Sequence, residues 1–146
     1  IIMATVDKTG GAVFTVPVSG LNRFFVMNNV VDISAALNAD VYQVLPVVAG
    51  VQVLNASTKV VTPNNAATTS AVDVGDGTDP NGFDNQVDMK AAANTLSIGL
   101  GGTDAYITTV GKMYTENDTI DLVFTVTGTN TAGSVEVRAL CVNIWE

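Results

Sequence analysis

The stretch TIDLVFTVTGTNTAGSVEVRALCVN, residues 119–143, contains two apolar segments joined by a polar loop with two glycines. In the first segment, apolar and polar residues alternate except at Val123, and one set shares a face: Ile120, Leu122, Phe124 and Val126. Alternation with a period of two is typical of a strand that buries one face. We therefore predict a half-buried strand here, with its other face formed by Asp121, Thr125 and Thr127.

The second segment begins in the same way and then changes. Val135 and Val137 alternate with Glu136 and Arg138, after which apolar residues occupy both faces from Ala139 to Val142. A strand that is apolar on both faces is typical of the centre of a sheet, or of a strand covered by a partner. The loop TGTNTAGS between the two segments is predicted to be a hairpin or a tight loop.

Short apolar segments separated by Gly, Asn, Pro and Thr recur along the chain. The segment 11–20 is predicted to be a strand with Phe14, Val16 and Val18 facing inward, and Pro17 restricts it to an edge or a bulge. The neighbouring cluster of Phe24, Phe25 and Met27 is interpreted as core rather than as a contact patch. Further strands are predicted at Arg23–Val26, Val41–Leu45, Val51–Leu54, Lys59–Val61, Ala71–Val74 and Ala105–Val110.

This pattern predicts an all-β fold. We expect residues 1–146 to form a single-domain antiparallel β-sandwich, jelly-roll-like, with residues 1–20 as an extended strand or arm that contacts a neighbour. Helix is limited to one or two short turns, one capped by Asp88 and one after Asp32. Because a natural chain begins with Met, the numbering is expected to start after processing or upstream of a start at Met3.

The composition indicates a protein that buries much of its surface. Of its 146 residues, 47% are hydrophobic and only 14% are charged, whereas an average domain carries about 25% charged residues. So apolar a chain is not disordered, and it must bury this surface within itself or against partners. We therefore expect an assembly.

Charge and hydropathy exclude two classes of partner. The net charge is −8 and the six basic residues form no run, so direct nucleic-acid binding is not expected. No segment approaches the ~18 consecutive apolar residues of a membrane span, so no membrane partner is expected. The single cysteine, Cys141, lies in an apolar strand and is interpreted as a core residue.

The sequence offers little catalytic chemistry. It contains no histidine, which removes the commonest general base, the usual zinc ligand and the Ser-His and Cys-His arrangements. A glycosidase needs two carboxylates in an aromatic cleft, and only 6% of the residues are aromatic. We therefore predict a protein that is not an enzyme and needs no cofactor.

The acidic loop DGTDPNGFDNQVD, residues 76–88, resembles a calcium-binding loop in part. With Gly82 aligned to the invariant glycine, Asp79, Asn81 and Asp88 occupy ligand positions, but Gly77 occupies the first one. The loop also lacks flanking amphipathic helices. We interpret it as a pair of turns in which Asp-Gly and Asn-Gly supply positive φ, and we predict no metal site, with Asp79, Asn81 and Asp88 as weak candidates only.

Three stretches together resemble a group of small virion structural proteins of tailed bacteriophages. They are ADVYQVLPVVAGVQVLNASTKVVTP from Ala39, VDVGDGTDPNGFDNQVD from Val72 and YTENDTIDLVFTVTGTNTAGSVEVRALCVNIW from Tyr114. The resemblance covers roughly the C-terminal three-quarters of the chain. It implies a β-sandwich that assembles on the particle, and an acidic corner with Phe83 inward and its carboxylates outside.

The resemblance implies a capsid decoration (cement) protein on the outer surface of the virion. We expect it to form homotrimers, to bind the major capsid protein and to stabilise the shell, through interface residues Phe14, Val16, Leu140, Val142 and Ile144. The alternative is a tail-fibre or receptor-binding β-sandwich that recognises a host surface glycan. A third hypothesis is a free carbohydrate-binding domain whose acidic loop holds calcium.

Overall fold

The computed structural model describes residues 3–15, 24–99 and 104–144, and these are mostly β-strands. The strands are β1 (Thr5–Asp7), β2 (Val13–Thr15), β3 (Phe24–Asp32), β4 (Val41–Val47), β5 (Val51–Thr62), β6 (Thr69–Gly75), β7 (Asp84–Asp88), β8 (Leu96–Ile98), β9 (Lys112–Met113), β10 (Asp118–Thr127) and β11 (Ser134–Asn143). The helical elements of this part of the chain are one 3-10 turn, Thr9–Gly11, and one α-helical turn, α1 (Ala105–Thr108). Neither could cross a membrane. The prediction of an all-β sandwich with one or two short helical turns is confirmed.

The strands form two sheets. The five-stranded sheet has the order β1-β4-β10-β6-β7, and the six-stranded sheet has the order β2-β3-β11-β5-β8 with β9 also paired to β5. Neighbouring strands are antiparallel, except that β1 lies parallel to β4. β10 is therefore the central strand of one sheet and β11 the central strand of the other.

The core lies between the sheets and is built on these two central strands. The predicted inward face of β10 is buried at all four positions: Ile120, Leu122, Phe124 and Val126. The facing side of β11 is also buried, and consists of Val135, Val137, Ala139 and Cys141. Burying one such large aliphatic or aromatic side chain contributes about 1.5–3 kcal/mol. Cys141 is a core residue, as predicted, and burial raises the pKa of its thiol to about 12.

The loop between β10 and β11 does not form a hairpin, which was one of the two predicted alternatives. Because the two strands belong to different sheets, residues 128–133 cross from one sheet to the other. Gly128 and Gly133 adopt φ values of +97° and +149°, which favour glycine. The buried side chain of Asn130 donates a 3.0 Å hydrogen bond to the carbonyl of Ile33 and thereby fixes the crossing.

Two predicted local structures differ from those observed. Residues Ala105–Thr108 form α1 rather than a strand, after Asp104 in the N-cap position. Asp88 does not cap a helix: it ends β7, and its carboxylate accepts a hydrogen bond from the backbone N–H of Lys90. In segments this short, the spacing of the apolar residues does not distinguish a helix from a strand.

The described part of the N-terminal segment pairs with strands of the same chain. β1 pairs with β4 at the edge of one sheet, and β2 pairs with β3 at the edge of the other. Phe14 pairs with the buried Met27 and so lies on the inward side of its sheet, as predicted, but its position at the edge leaves it 53% exposed, so it is not part of the buried core. Val16 and Val18 lie outside the described residues.

The central position of β10 generates a first prediction. Leu122→Ala removes a fully buried side chain and should lower the free energy of unfolding by about 3 kcal/mol. The matched control, Leu37→Ala, truncates a leucine that is 57% exposed and should change stability little. Urea denaturation followed by circular dichroism measures both, and equal effects would contradict this description of the core.

Candidate functional site

The acidic loop is a turn organised by one buried carboxylate. Phe83 is fully buried, in agreement with the expected corner, but Asp76 is also buried, although its carboxylate was expected outside. One carboxylate oxygen of Asp76 accepts 2.9 Å hydrogen bonds from the backbone N–H groups of Thr78 and Asp79. Asp76 therefore closes the turn from within.

Asp76 also ties this turn to a distant part of the chain. The hydroxyl of Tyr106, on α1, donates a 2.9 Å hydrogen bond to its Oδ1, and the hydroxyl of Tyr114 donates one of 2.9 Å to its Oδ2. The ammonium group of Lys112 lies 3.7 Å from the same Oδ2. Burial by itself raises the pKa of Asp76, but the hydrogen bonds from Asp79, Tyr106 and Tyr114 outweigh burial, so its pKa lies below the usual value.

Asp79, one of the weak metal candidates, takes part in the turn through its backbone. The backbone carbonyl of Asp79 accepts hydrogen bonds from the N–H groups of Asp76 and Gly82. In residues 3–15, 24–99 and 104–144, no three His, Cys, Asp or Glu side chains are grouped so as to hold a metal ion. Gly77 and Gly82 do not adopt the predicted positive φ; Gly82 is required because a Cβ there would overlap the ring of Tyr106.

A second prediction follows from this network. Asp76→Ala leaves two tyrosine hydroxyls and two backbone N–H groups without their acceptor, and should cost about 3 kcal/mol of stability. Asp79→Ala, whose side chain is only partly buried, should cost far less. Thermal denaturation compares the two variants.

Calorimetry tests the same loop for calcium. We expect a dissociation constant in the millimolar range or weaker, because the first ligand position is Gly77 and Asp76 is already satisfied by internal donors. A micromolar constant that is lost on Asp79→Ala would show that the loop is a calcium site.

Asp121 is a second buried carboxylate, at the β-bulge of β10 next to Ile120. Thr119 donates a 2.6 Å hydrogen bond to it. Burial is the main cause that raises its pKa to about 6, and the charges of Asp118 and Asp76 add to this effect. The folded protein therefore holds a proton on Asp121 at pH values where the unfolded chain has released it.

This pKa gives a third prediction. As the pH rises from about 4 to 6, Asp121 ionises in the unfolded chain before it ionises in the folded one, so stability falls across this window and the loss is complete above pH 6. Asp121→Asn should therefore raise stability at pH 7.5 by about 2 kcal/mol and leave it unchanged near pH 4. Melting temperatures measured across this range check the effect, with Asp79→Asn as the control. An equal change at both pH values would contradict it.

The outward face of the six-stranded sheet carries many exposed apolar side chains. The cross-strand register places Val26 beside Leu140 and Phe24 beside Val142. At the opposite edge, Leu96 and Ile98 of β8 are also about half exposed. We call Phe24, Val26, Leu140 and Val142 the β3–β11 patch, and we call Leu96 and Ile98 the β8 patch. Exposed apolar patches of this kind make this face a candidate interaction site.

A charged cluster separates the two patches. Glu136 points outward from β11 but is only 8% exposed, because Lys59 lies 2.7 Å from one of its oxygens and Arg138 binds both. Hydrogen bonds from Arg138, and then from Lys59, lower the pKa of Glu136 to about 2. With Asp32, these residues give the outward face two acidic and two basic side chains.

The predicted interface residues are distributed unevenly. Leu140 and Val142 lie together on the outward face, and Ile144 is exposed just beyond β11. Phe14 lies on β2 and lines a small apolar cleft of about 30 Å³ with Val48, away from that patch. Val16 is outside the described residues.

Sequence reasoning missed four of the six residues in the two patches. Met27 is core, as interpreted, but Phe24 from the same cluster is 49% exposed and belongs to the β3–β11 patch. Leu96 and Ile98 were not assigned to a strand. The available signal was that residues 24–27 and 30–31 are apolar on both faces of the strand, which indicates two apolar faces without saying which one is covered by a partner.

Solved structures share this architecture, whereas no protein-family model and no curated protein matches the sequence. A chain of the cyanophage Pam1 capsid matches with a TM-score of 0.63 and 18% identity, over 88% of this chain and 91% of that chain. A chain of the Ralstonia phage GP4 capsid has a TM-score of 0.60 and 14% identity, over 97% and 99%. One from the acid-stable capsid of Helicobacter pylori bacteriophage KHP30 has 0.59 and 18%, over 90% of each.

The protein has the fold of bacteriophage capsid chains. At these identities the similarity concerns the fold, and it extends over nearly the whole of each chain. The two-sheet architecture derived above is therefore one that occurs in assembled phage shells.

Proposed function

We propose that the protein is a structural component of a bacteriophage virion, a capsid decoration (cement) protein that binds the outer surface of the shell as homotrimers. The exposed apolar face of the six-stranded sheet carries this proposal, on a fold that also occurs in phage capsids. A sandwich that already encloses its own core has no need of this second apolar face unless a protein partner covers it.

The chemistry of the described residues suits adhesion better than catalysis. The sequence has no histidine, and its single thiol is buried with a raised pKa. The most buried carboxylate, Asp76, is held by two tyrosines of the same chain. We therefore infer a protein without enzymatic activity or cofactor.

The acidic charge supports a location on the outside of the particle. A chain of net charge −8 is repelled by packaged nucleic acid, whereas acidic surface facing solvent keeps particles apart. We infer that the major capsid protein is the partner, and that neither nucleic acid nor membrane is bound directly.

Contacts with the shell would come from several parts of one sandwich domain. β1 and β2 each leave one strand edge unpaired within the described residues, so the N-terminal segment can add to a neighbour's sheet without leaving its own. Phe14 and Ile144 add exposed apolar contacts. Many such weak contacts repeated around a lattice hold the shell by avidity against internal genome pressure.

Particle stability tests this function and gives a fourth prediction. Particles that lack the protein should assemble, yet release their DNA at lower temperature or lower ionic strength than complete particles, because the bridging contacts are missing. Adding purified protein back should restore the release temperature, and this controls for damage during preparation.

The tail-fibre alternative predicts a different result. Particles without a receptor-binding module would keep normal heat stability but fail to adsorb to host cells. Normal stability together with lost adsorption would therefore contradict the capsid proposal.

A further inference from the structure

The two sheets differ in charge. The strands of the five-stranded sheet contain six acidic residues and no basic one; the six are Asp7, Asp73, Asp84, Asp88, Asp118 and Asp121. The strands of the six-stranded sheet contain two acidic residues, Asp32 and Glu136, and three basic ones, Lys59, Lys112 and Arg138. The sandwich therefore has one strongly acidic sheet and one nearly neutral sheet.

The exposed apolar side chains follow the same division. Large exposed apolar residues occur on β2, β3, β5, β8 and β11, and among the described strands none lies on β1, β4, β6, β7 or β10. The cross-strand register places most of them on the outward side, around Glu136 and Arg138. These outward residues are Val13, Val26, Val30, Leu96, Ile98 and Leu140.

The outward face of the five-stranded sheet is polar. Its register aligns Thr5, Val123 and Asp73 in one row across the sheet, and Thr125 and Asp88 in the next. Taking carboxylates out of water costs free energy unless a partner pairs them, whereas covering apolar side chains is favourable. The five-stranded face thus suits contact with water, and the six-stranded face suits contact with protein.

The charge distribution also indicates which protein covers the six-stranded face. If a second copy covered it, the surface left for a shell would be the acidic sheet and the edges of the sandwich. The proposed function requires an extended contact with the shell, and the six-stranded face combines low charge with exposed apolar side chains. We therefore assign this face to the shell rather than to another copy.

The size of the face matches one protein contact. With strands ~4.8 Å apart and ~3.3 Å per residue, β2, β3, β11, β5 and β8 cover roughly 550 Å² in flat projection, and the relief of the side chains raises the accessible area. A standard interface buries about 800 Å² on each partner. A single contact with the shell therefore occupies the whole face.

Resting on the cement function proposed above, we propose that the outward face of the six-stranded sheet lies flat against an apolar, weakly charged surface of the major capsid protein. The outward face of the five-stranded sheet then points to solvent. Contacts between copies fall to the edges of the sandwich, which are formed by β1 and β2 on one side and by β7 and β8 on the other.

Thiol labelling tests this orientation without disrupting the contact. The native Cys141 is fully buried, so a maleimide reacts with a cysteine introduced at an exposed position. Val30→Cys places the thiol on the six-stranded face, and Thr127→Cys places it at an exposed position of β10 on the opposite face. Both should be labelled in the isolated protein. On shells, labelling of Val30→Cys should fall at least about tenfold, and labelling of Thr127→Cys should not change.

A pair of charge-matched variants tests the energetics of the same contact. Val26→Asp would bury an unpaired carboxylate against the shell and should weaken binding to particles that lack the protein at least about 100-fold. Thr127→Asp adds the same charge to the opposite face and should bind like the wild type. Melting temperatures show that each variant folds, and Ile98→Asp at the sheet edge replaces Val26→Asp if that variant is unstable. Light scattering should give each variant the mass of the wild type.

Three results would contradict the orientation. The first is protection of Thr127→Cys instead of Val30→Cys on the shell. The second is protection of Val30→Cys already in the isolated protein, and the third is a lower mass for Val26→Asp; either would show that another copy covers the six-stranded face. All three leave the cement function standing, because that function is decided by DNA release from particles without the protein. Wild-type protein that fails to bind such particles would contradict the cement function itself.

Discussion

The structure depends on the separation of two consecutive strands into different sheets. β10 and β11 are adjacent in sequence, yet each is the centre of its own sheet, and their apolar faces meet across the core. Every other strand is added outward from one of these two. The loop 128–133 carries the chain from one sheet to the other. Two glycines at positive φ shape it, and the buried side chain of Asn130 holds it in place.

The buried carboxylate of Asp76 has a comparable role for the loops. It joins the turn after β6 to Tyr106 on α1 and to Tyr114 after β9, which lie 30 and 38 positions further along the sequence. A buried carboxylate that accepts four hydrogen bonds fixes local geometry strongly, because each donor would lack a partner without it. The acidic loop thus connects separate parts of the fold. It resembles a calcium loop because Asp and Gly favour tight turns in both.

The sequence predicts the strands that alternate strongly and misses relations between distant residues. The inward face of β10 was predicted residue by residue, because alternation reports directly on burial. For the crossing loop the sequence predicts a hairpin or a tight loop, since local composition describes a turn but not the sheet to which the next strand belongs. In the same way, Asp76 looked like an exposed turn residue, because its tyrosine partners lie 30 and 38 positions away. The β8 patch was missed because a three-residue strand has too little periodicity to be recognised.

We propose that the protein is an adhesive sandwich on the outside of a phage shell, held through neutral apolar surface and presenting acidic surface to solvent. Electron microscopy of particles that carry a labelled copy of the protein tests this claim most directly. We expect label distributed regularly over the outer surface of the shell, at positions of three-fold symmetry. Label confined to the tail or its fibres would contradict it.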